Sequence, residues 1–274
     1  MGFTVGTAAL LGLLGLGVGA FGTLVGAGGG FILTPILLLL YPHDSPKTLT
    51  AISLMVVFFN AASGTAAYAR QRRTDFRSGI VFAAATVPGA IAGALLVAHV
   101  SRAVFDPTMG VALALLAAWL VFGEQRAPHQ HPARHTVERE LVDARGERYR
   151  YQVPLRRGAI YSLGVGFFSS FLGIGGGVIH VPLLVRALGF PTHIATATSH
   201  FVLAIMAGTG TITHVLAGSF QHGHGLRRAA ALSVGVVAGA QLGAHVSLRL
   251  SGRTIQWLLA VALAALAIRL LVTA

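Results

Sequence analysis

The stretch GAGGGFILTP, residues 26–35, sits inside an otherwise apolar run near the start of the chain. In a helix interior glycine costs about 1 kcal/mol and proline about 3 kcal/mol relative to alanine. A continuous membrane helix is therefore not expected to carry four glycines and a proline together. A second stretch, GIGGGVIHVP at residues 173–182, repeats the pattern G-x-G-G-G, four residues, then proline. It begins 147 residues after the first. Two copies at matched places point to a duplicated device.

Outward from these stretches, the 274-residue chain is 54% hydrophobic and only 10% charged, with a mean hydropathy of +0.74. Hydrophobic segments run over 3–41, 48–69, 78–100, 104–123, 158–190, 194–217, 228–248 and 254–273. Segments of about 20 apolar residues read as membrane helices. The expected class is an all-α polytopic membrane protein in the lipid bilayer. The apolar N-terminal run lacks a basic leader region and is read as part of the first membrane segment. The formal charge of +12 comes mostly from arginines clustered in a few loops. That is the pattern of cytoplasmic loops and not of nucleic-acid binding. With no cysteine in the chain, disulfides, thiolate metal sites and cysteine catalysis are excluded.

The segments divide into a first repeat (1–123), a polar loop (124–157) and a second repeat (158–274). TAISLMVVFFNAASGT (50–65) parallels TATSHFVLAIMAGTGT (196–211), and PGAIAGALL (88–96) parallels AGAQLGAHV (238–246). Order-preserving similarity of this kind marks internal repeats, common in transporters. Residues 3–41 number 39, about 58 Å as one straight helix against a hydrocarbon core of about 30 Å. Each repeat is thus expected to open with a helix broken or re-entrant at its glycines. The second break should separate pieces of about 14–16 residues, short for a crossing. If each broken segment crosses once, the repeats are parallel; if each folds back, they are inverted. The arginine distribution supports both equally, and both place loop 124–157 in the cytoplasm. Within that loop, residues 148–153 alternate in strand fashion beside Arg145-Gly146, predicting a small β-hairpin. HQHPARH (129–135) reads as a solvated linker.

All eight acidic residues fall in loops or at segment ends. Cation pathways usually place a carboxylate at membrane depth, so a neutral or anionic substrate is expected. An anion would then be held by partial charges. A helix restarting after a break presents unpaired N–H groups and a positive dipole end. Gly26, Gly28, Gly29 and Gly30, with Gly173, Gly175, Gly176 and Gly177, let backbone approach a ligand closely. Pro35 and Pro182 kink the helices that follow. Ser53 and Asn60, then Thr198, Ser199 and His200, lie on the next segment of each repeat, and Gln241 is a further donor. His180, inside the motif, leads the intramembrane histidines as a titratable group. Gly89/Gly93 and Gly239/Gly243 read as helix-packing pairs, and such glycine-lined faces would also suit a homodimer.

GAGGGFILTP and GIGGGVIHVP, each followed by a helix opening TAISLM or ATATSH, resemble the TauE/SafE sulfite exporter family. The resemblance covers nearly all of the chain outside loop 124–157. It implies transport of sulfite, an organosulfonate or a related small sulfur-containing anion across the bacterial inner membrane. It points to Gly26, Gly28–Gly30, Pro35, Gly173, Gly175–Gly177, Pro182, Thr198 and Ser199. The first repeat departs from the family at Ile52-Ser53, where a Thr-Ser pair is usual. Alternating access with the substrate at paired helix N-termini is the expected mechanism, with no enzyme activity, cofactor or metal. The alternatives are another anion, a metal cation carried on the histidines, and a membrane-embedded metalloenzyme.

Overall fold

In a computed structural model of the chain, residues 4–122, 136–220 and 224–273 are described. The elements in order are α1 (Val5–Leu24), α2 (Gly30–Leu40), α3 (Pro46–Arg70), α4 (Phe76–Leu96), α5 (Arg102–Phe122), β1 (Val137–Val142) and β2 (Arg148–Val153). They continue as α6 (Leu155–Leu172), α7 (Gly177–Pro182), α8 (Thr192–Leu216), α9 (Gly225–Ser247) and α10 (Gly252–Thr273). HQHPARH lies outside the described residues.

Both glycine stretches interrupt helix. After α1, Gly26, Gly28 and Gly29 take φ of 80°, 74° and 81°, and α2 restarts at Gly30. After α6, Gly173 and Gly175 take φ of 67° and 72°, and α7 restarts at Gly177. A left-handed residue just past the last helical turn is a common helix stop, and only glycine adopts it freely. Beyond Pro182 the chain runs on as a π-helical turn, Leu183–Ala187. The second break therefore separates 18 residues from a returning limb of 6 plus 5, and not the near-equal pieces of the sequence reading. The reason lies at the outer ends: α6 begins at Leu155, before the segment read from sequence, and the returning limb stops at Ala187, ahead of Gly189 at φ 75°.

Among the described residues, six helices are long and apolar enough to cross a membrane: Val5–Leu24, Pro46–Arg70, Phe76–His99, Arg102–Trp119, Thr192–Leu216 and Gly225–Ser247. Apolar side chains such as Leu10, Leu13, Leu115, Val234 and Trp257 face outward. A bilayer solvates such a surface and water does not, so the chain is a multi-pass membrane protein.

Packing pairs α1 with α9, α4 with α6, α3 with both α8 and α9, α4 with α8, and α5 with α10. Glycines carry two of these contacts. Gly235, Gly239 and Gly243 of α9 abut the carbonyls of Gly12, Leu16 and Ala20 on α1. Gly89 and Gly93 of α4 abut those of Leu163 and Phe167 on α6. The packing pairs read from sequence are thus used inside the chain, where the missing Cβ lets backbones touch.

Contacts at the helix ends show where each segment begins and returns. Val153, Leu155, Leu184, Leu188, Phe190 and Ile194 share one apolar cluster with Tyr151. The segment containing α6 and α7 therefore starts and finishes beside the β-hairpin. At the opposite end, Arg228 pairs with Asp44, and Arg102 donates to the carbonyls of Leu38 and Tyr41 at 3.0 and 3.1 Å. Gly12 of α1 lies against Ala231, near the start of α9. The segment containing α1 and α2 thus starts and finishes at that opposite end. Each broken segment folds back, from opposite ends of the molecule.

The predicted hairpin is present, with β1 and β2 antiparallel and Val137 opposite Val153. Gly146 turns it at φ 83°. It docks on loop 70–77: the Ala144 N–H donates to Gln71 C=O at 3.0 Å, and Arg73 meets Asp143 at 3.5 Å. Burial pushes the Asp143 carboxyl up, but N–H donors from Glu147 and Arg145 and the Arg73 charge outweigh it and hold it below the usual range. The Tyr151 hydroxyl donates to Asp75 at 3.1 Å, with Arg139 3.6 Å from the same carboxylate.

Candidate functional site

The two breaks meet in the interior. All ten residues of 26–30 and 173–177 are buried. A Cβ on Gly177 would stand 2.6 Å from Ala27 Cα, and one on Gly30 would stand 2.7 Å from the Ile174 carbonyl oxygen. The backbones approach so closely because neither side carries a side chain there. The restarting helices match in detail. Ile32 and Leu33 N–H bond to Gly29 C=O at 3.1 and 3.0 Å, and Ile179 and His180 N–H bond to Gly176 C=O at 3.1 and 2.7 Å. The N–H groups of Gly30 and Phe31, and of Gly177 and Val178, come before those ladders begin. Each break thus presents the positive end of a helix dipole to the interior.

Hydroxyls from the following helices cross over to the opposite break. Ser53 on α3 donates to Gly173 C=O at 2.7 Å. Ser199 on α8 reaches Gly26 C=O at 3.4 Å. Thr34, just before Pro35, adds a second donor to Gly173 C=O at 2.7 Å and lies 2.9 Å from Ser53 Oγ. These carbonyls are among the acceptors left over where α1 and α6 end, so the serines cap them. In this conformation both serine hydroxyls are turned to backbone and the breaks close on one another.

A second polar cluster flanks the first break. Asn60 accepts from the Thr23 hydroxyl and donates to Gly19 C=O at 3.3 Å. His200 Nε2 lies 3.3 Å from Thr23 Oγ1. The Tyr68 hydroxyl donates to Thr23 C=O at 2.7 Å, and its ring meets His200 edge-on at 5.4 Å. His180 stands apart from this cluster: its Nε2 is 3.2 Å from Ser162 Oγ and its ring edge meets Phe82.

The remaining sequence candidates sit elsewhere. Pro35 and Pro182 are buried within α2 and at the end of α7. The Thr198 hydroxyl accepts the Asp75 N–H at 3.0 Å, tying α8 to the start of α4. Gln241 donates to Ser63 on α3, at 2.9 Å to its carbonyl and 2.8 Å to its hydroxyl. The structure thus gathers Gly26–Gly30, Gly173–Gly177, Ser53 and Ser199, sets Asn60 and His200 beside them, and directs Thr198 and Gln241 to helix contacts. Among the described residues no group of three or more His, Cys, Asp or Glu is placed to hold a metal ion.

Sequence reasoning missed Thr23, Thr34 and Tyr68. The usable signal was position: Thr23 lies three residues before Gly26, and Thr34 lies inside the quoted motif.

A family model described as "Sulfite exporter TauE/SafE" matches residues 11–270. The chain is 29% identical over 260 residues to "Probable membrane transporter protein YunE" of Bacillus subtilis (strain 168), covering 93% of each. It is 27% identical over 213 residues to "Probable membrane transporter protein MJ0441" of Methanocaldococcus jannaschii, covering 76% of this chain and 72% of the relative. No solved structure matches.

Proposed function

Because this chain belongs to the TauE/SafE sulfite exporter family and is a membrane transporter, we propose that it carries a small sulfur-containing anion, sulfite or an organosulfonate, by alternating access. The observation that carries this reading is the reciprocal pair Ser53 to Gly173 and Ser199 to Gly26 across the buried breaks. The substrate sits between the breaks when they part, held by the N–H groups of Gly30, Phe31, Gly177 and Val178 and by the two freed serine hydroxyls. Helix N-termini and hydroxyls suit an oxyanion. The acids stay at helix ends and in loops, where they do not repel it.

The two halves are inverted repeats. Exchanging α1–α5 with α6–α10 turns the α1–α9 contact into α6–α4 and the α3–α9 contact into α8–α4, and leaves α3–α8 and α5–α10 as they are. The broken segments fold back from opposite ends, which supports inversion over parallel repeats. In such a fold one face opens as the other closes, around a fixed midplane site. The hairpin end faces the cytoplasm of a bacterial inner membrane. It collects Arg70, Arg72, Arg73, Arg77, Arg186, Arg249 and the hairpin arginines, against Lys47, Arg102, Arg227, Arg228 and Arg269 at the other end.

The test is uptake into proteoliposomes loaded with a sulfur-specific probe, using sulfite, thiosulfate, methanesulfonate and sulfate. Saturable flux of at least one, mutually competed and lost in Gly176→Trp protein that still folds, is the expected result. Flux unaffected by that substitution removes the site; no flux of any of the four removes the substrate class.

A further inference from the structure

His200 is fully buried on α8, one residue past Ser199. Its hydrogen bonding can be worked out from its neighbours. Asn60 Nδ2 donates to Gly19 C=O, which leaves Oδ1 to accept the Thr23 hydroxyl hydrogen. A hydroxyl has a single hydrogen. Thr23 Oγ1 therefore has none left for His200, and Nε2 must carry the hydrogen between them. In the neutral ring Nδ1 is then a bare acceptor. It is buried with no hydrogen-bond partner. Thr196 stands four residues back on α8, on the same face of the helix, and its backbone offers a carbonyl. An extra proton completes this arrangement: the charged ring donates from Nε2 to Thr23 and from Nδ1 towards Thr196.

The other groups around the ring leave room for that charge. Tyr68 on α3 is the titratable neighbour, and its hydroxyl is committed to Thr23 C=O. Arg73 lies behind Tyr68 and is paired with Asp143. Asp75, at the start of α4, meets α8 through its N–H on Thr198, with its carboxylate turned to Arg139 and Tyr151. Ala197 and Ala244 complete the surroundings of Tyr68. In the matched position of the first half, α3 carries Leu54, so the feature belongs to one half.

We propose that His200 is a proton site coupled to the anion site, so that one proton moves with each anion in the same direction. The inference rests on the transport reading above. The proton arrives at Nδ1 from solvent on the open face and leaves to solvent on the other, with no bond other than N–H made or broken. A positive ring beside the first break raises anion affinity, and by reciprocity a bound anion strengthens proton binding. Loss of the anion then loosens the proton.

The test uses purified full-length protein in weakly buffered detergent with a pH-indicating dye. Thiosulfate and methanesulfonate serve as probes because neither takes up a proton itself near neutral pH. Wild type is expected to take up protons on binding either anion, with affinity rising up to about tenfold per unit fall in pH, the limit for one proton. His200→Gln is expected to bind more weakly, without uptake and without pH dependence. Thr23→Val, which keeps the ring but removes its Nε2 partner, should retain uptake with a displaced pH profile. It also serves if His200→Gln does not fold. Anion binding by wild type without proton uptake overturns the coupling and leaves the transport reading standing. Uptake equal in wild type and His200→Gln overturns the assignment to His200. Binding of neither anion overturns the transport reading, and the coupling with it.

Discussion

Adding one methyl group at Gly177 tests how the breaks fit together. Gly177 is helical, so alanine brings no backbone strain there and on its own would favour the helix by about 1 kcal/mol. The new Cβ, however, overlaps the Gly26 carbonyl and stands 2.6 Å from Ala27 Cα. Both are backbone atoms and cannot rotate away, so the breaks must separate. Overpacking a tight interior costs about 1–3 kcal/mol, which outweighs the propensity gain in all but the mildest case. Gly164 on α6 is the control: a Cβ there meets nothing within 4 Å, and alanine should be neutral or stabilising by up to about 1 kcal/mol. Thermal unfolding in detergent, paired with thiosulfate uptake into vesicles, reads both variants. Gly177→Ala should unfold several degrees lower and transport at least several-fold more slowly, while Gly164→Ala matches wild type. Wild-type stability and flux in Gly177→Ala would refute the close packing of the breaks.

Further outcomes follow from the same contacts. Ser53→Ala should cost about 0.5–1.5 kcal/mol, because Thr34 still serves Gly173 C=O; with Thr34→Val added, the unsatisfied carbonyl should bring the loss to about 1–3 kcal/mol by thermal unfolding. The Asp143 carboxyl titrates below its ordinary value in the folded chain, so its stabilisation is present above that ordinary value and is lost as pH falls through the folded one. Protection of the hairpin amides, taken relative to intrinsic exchange at each pH, should therefore fall in acid, and Asp143→Asn should remove that step. Arg145 donates to Leu248 C=O at 3.3 Å and the chain has no cysteine. Paired Arg145→Cys and Leu248→Cys, joined by a bismaleimide long enough to replace an arginine side chain, should stop uptake; full flux with the link formed would detach the hairpin end from the transport cycle.

The breaks were legible in the sequence because glycine at a left-handed φ has few substitutes, and the matched spacing marked Gly26–Gly30 and Gly173–Gly177 together. The hairpin was legible from the alternation at residues 148–153. Fold-back was not legible, because both topologies put equal positive charge on one side; the contacts of Leu188, Phe190 and Arg228 supplied what charge counting lacked. Thr198 was expected near the substrate, yet its partner Asp75 lies 123 residues away, a distance no local pattern spans. The first half of the chain carries Ile52 where the second has Thr198, and Ile52 Cδ1 lies 3.8 Å from the Cβ position of Gly225. An apolar neighbour there needs no hydroxyl. Thr23 and Tyr68 escaped notice because a lone polar residue in an apolar helix usually bonds its own backbone, whereas these two reach across helices.

Anomalous diffraction from crystals grown with selenite, an oxyanion shaped like sulfite and carrying a strong scatterer, tests the shared site most directly. A selenium peak between the two breaks, with its oxygens within hydrogen-bond reach of the Gly30, Phe31, Gly177 and Val178 N–H groups, is the predicted result. A peak at a site touching neither glycine stretch, with the breaks still packed together, would contradict it.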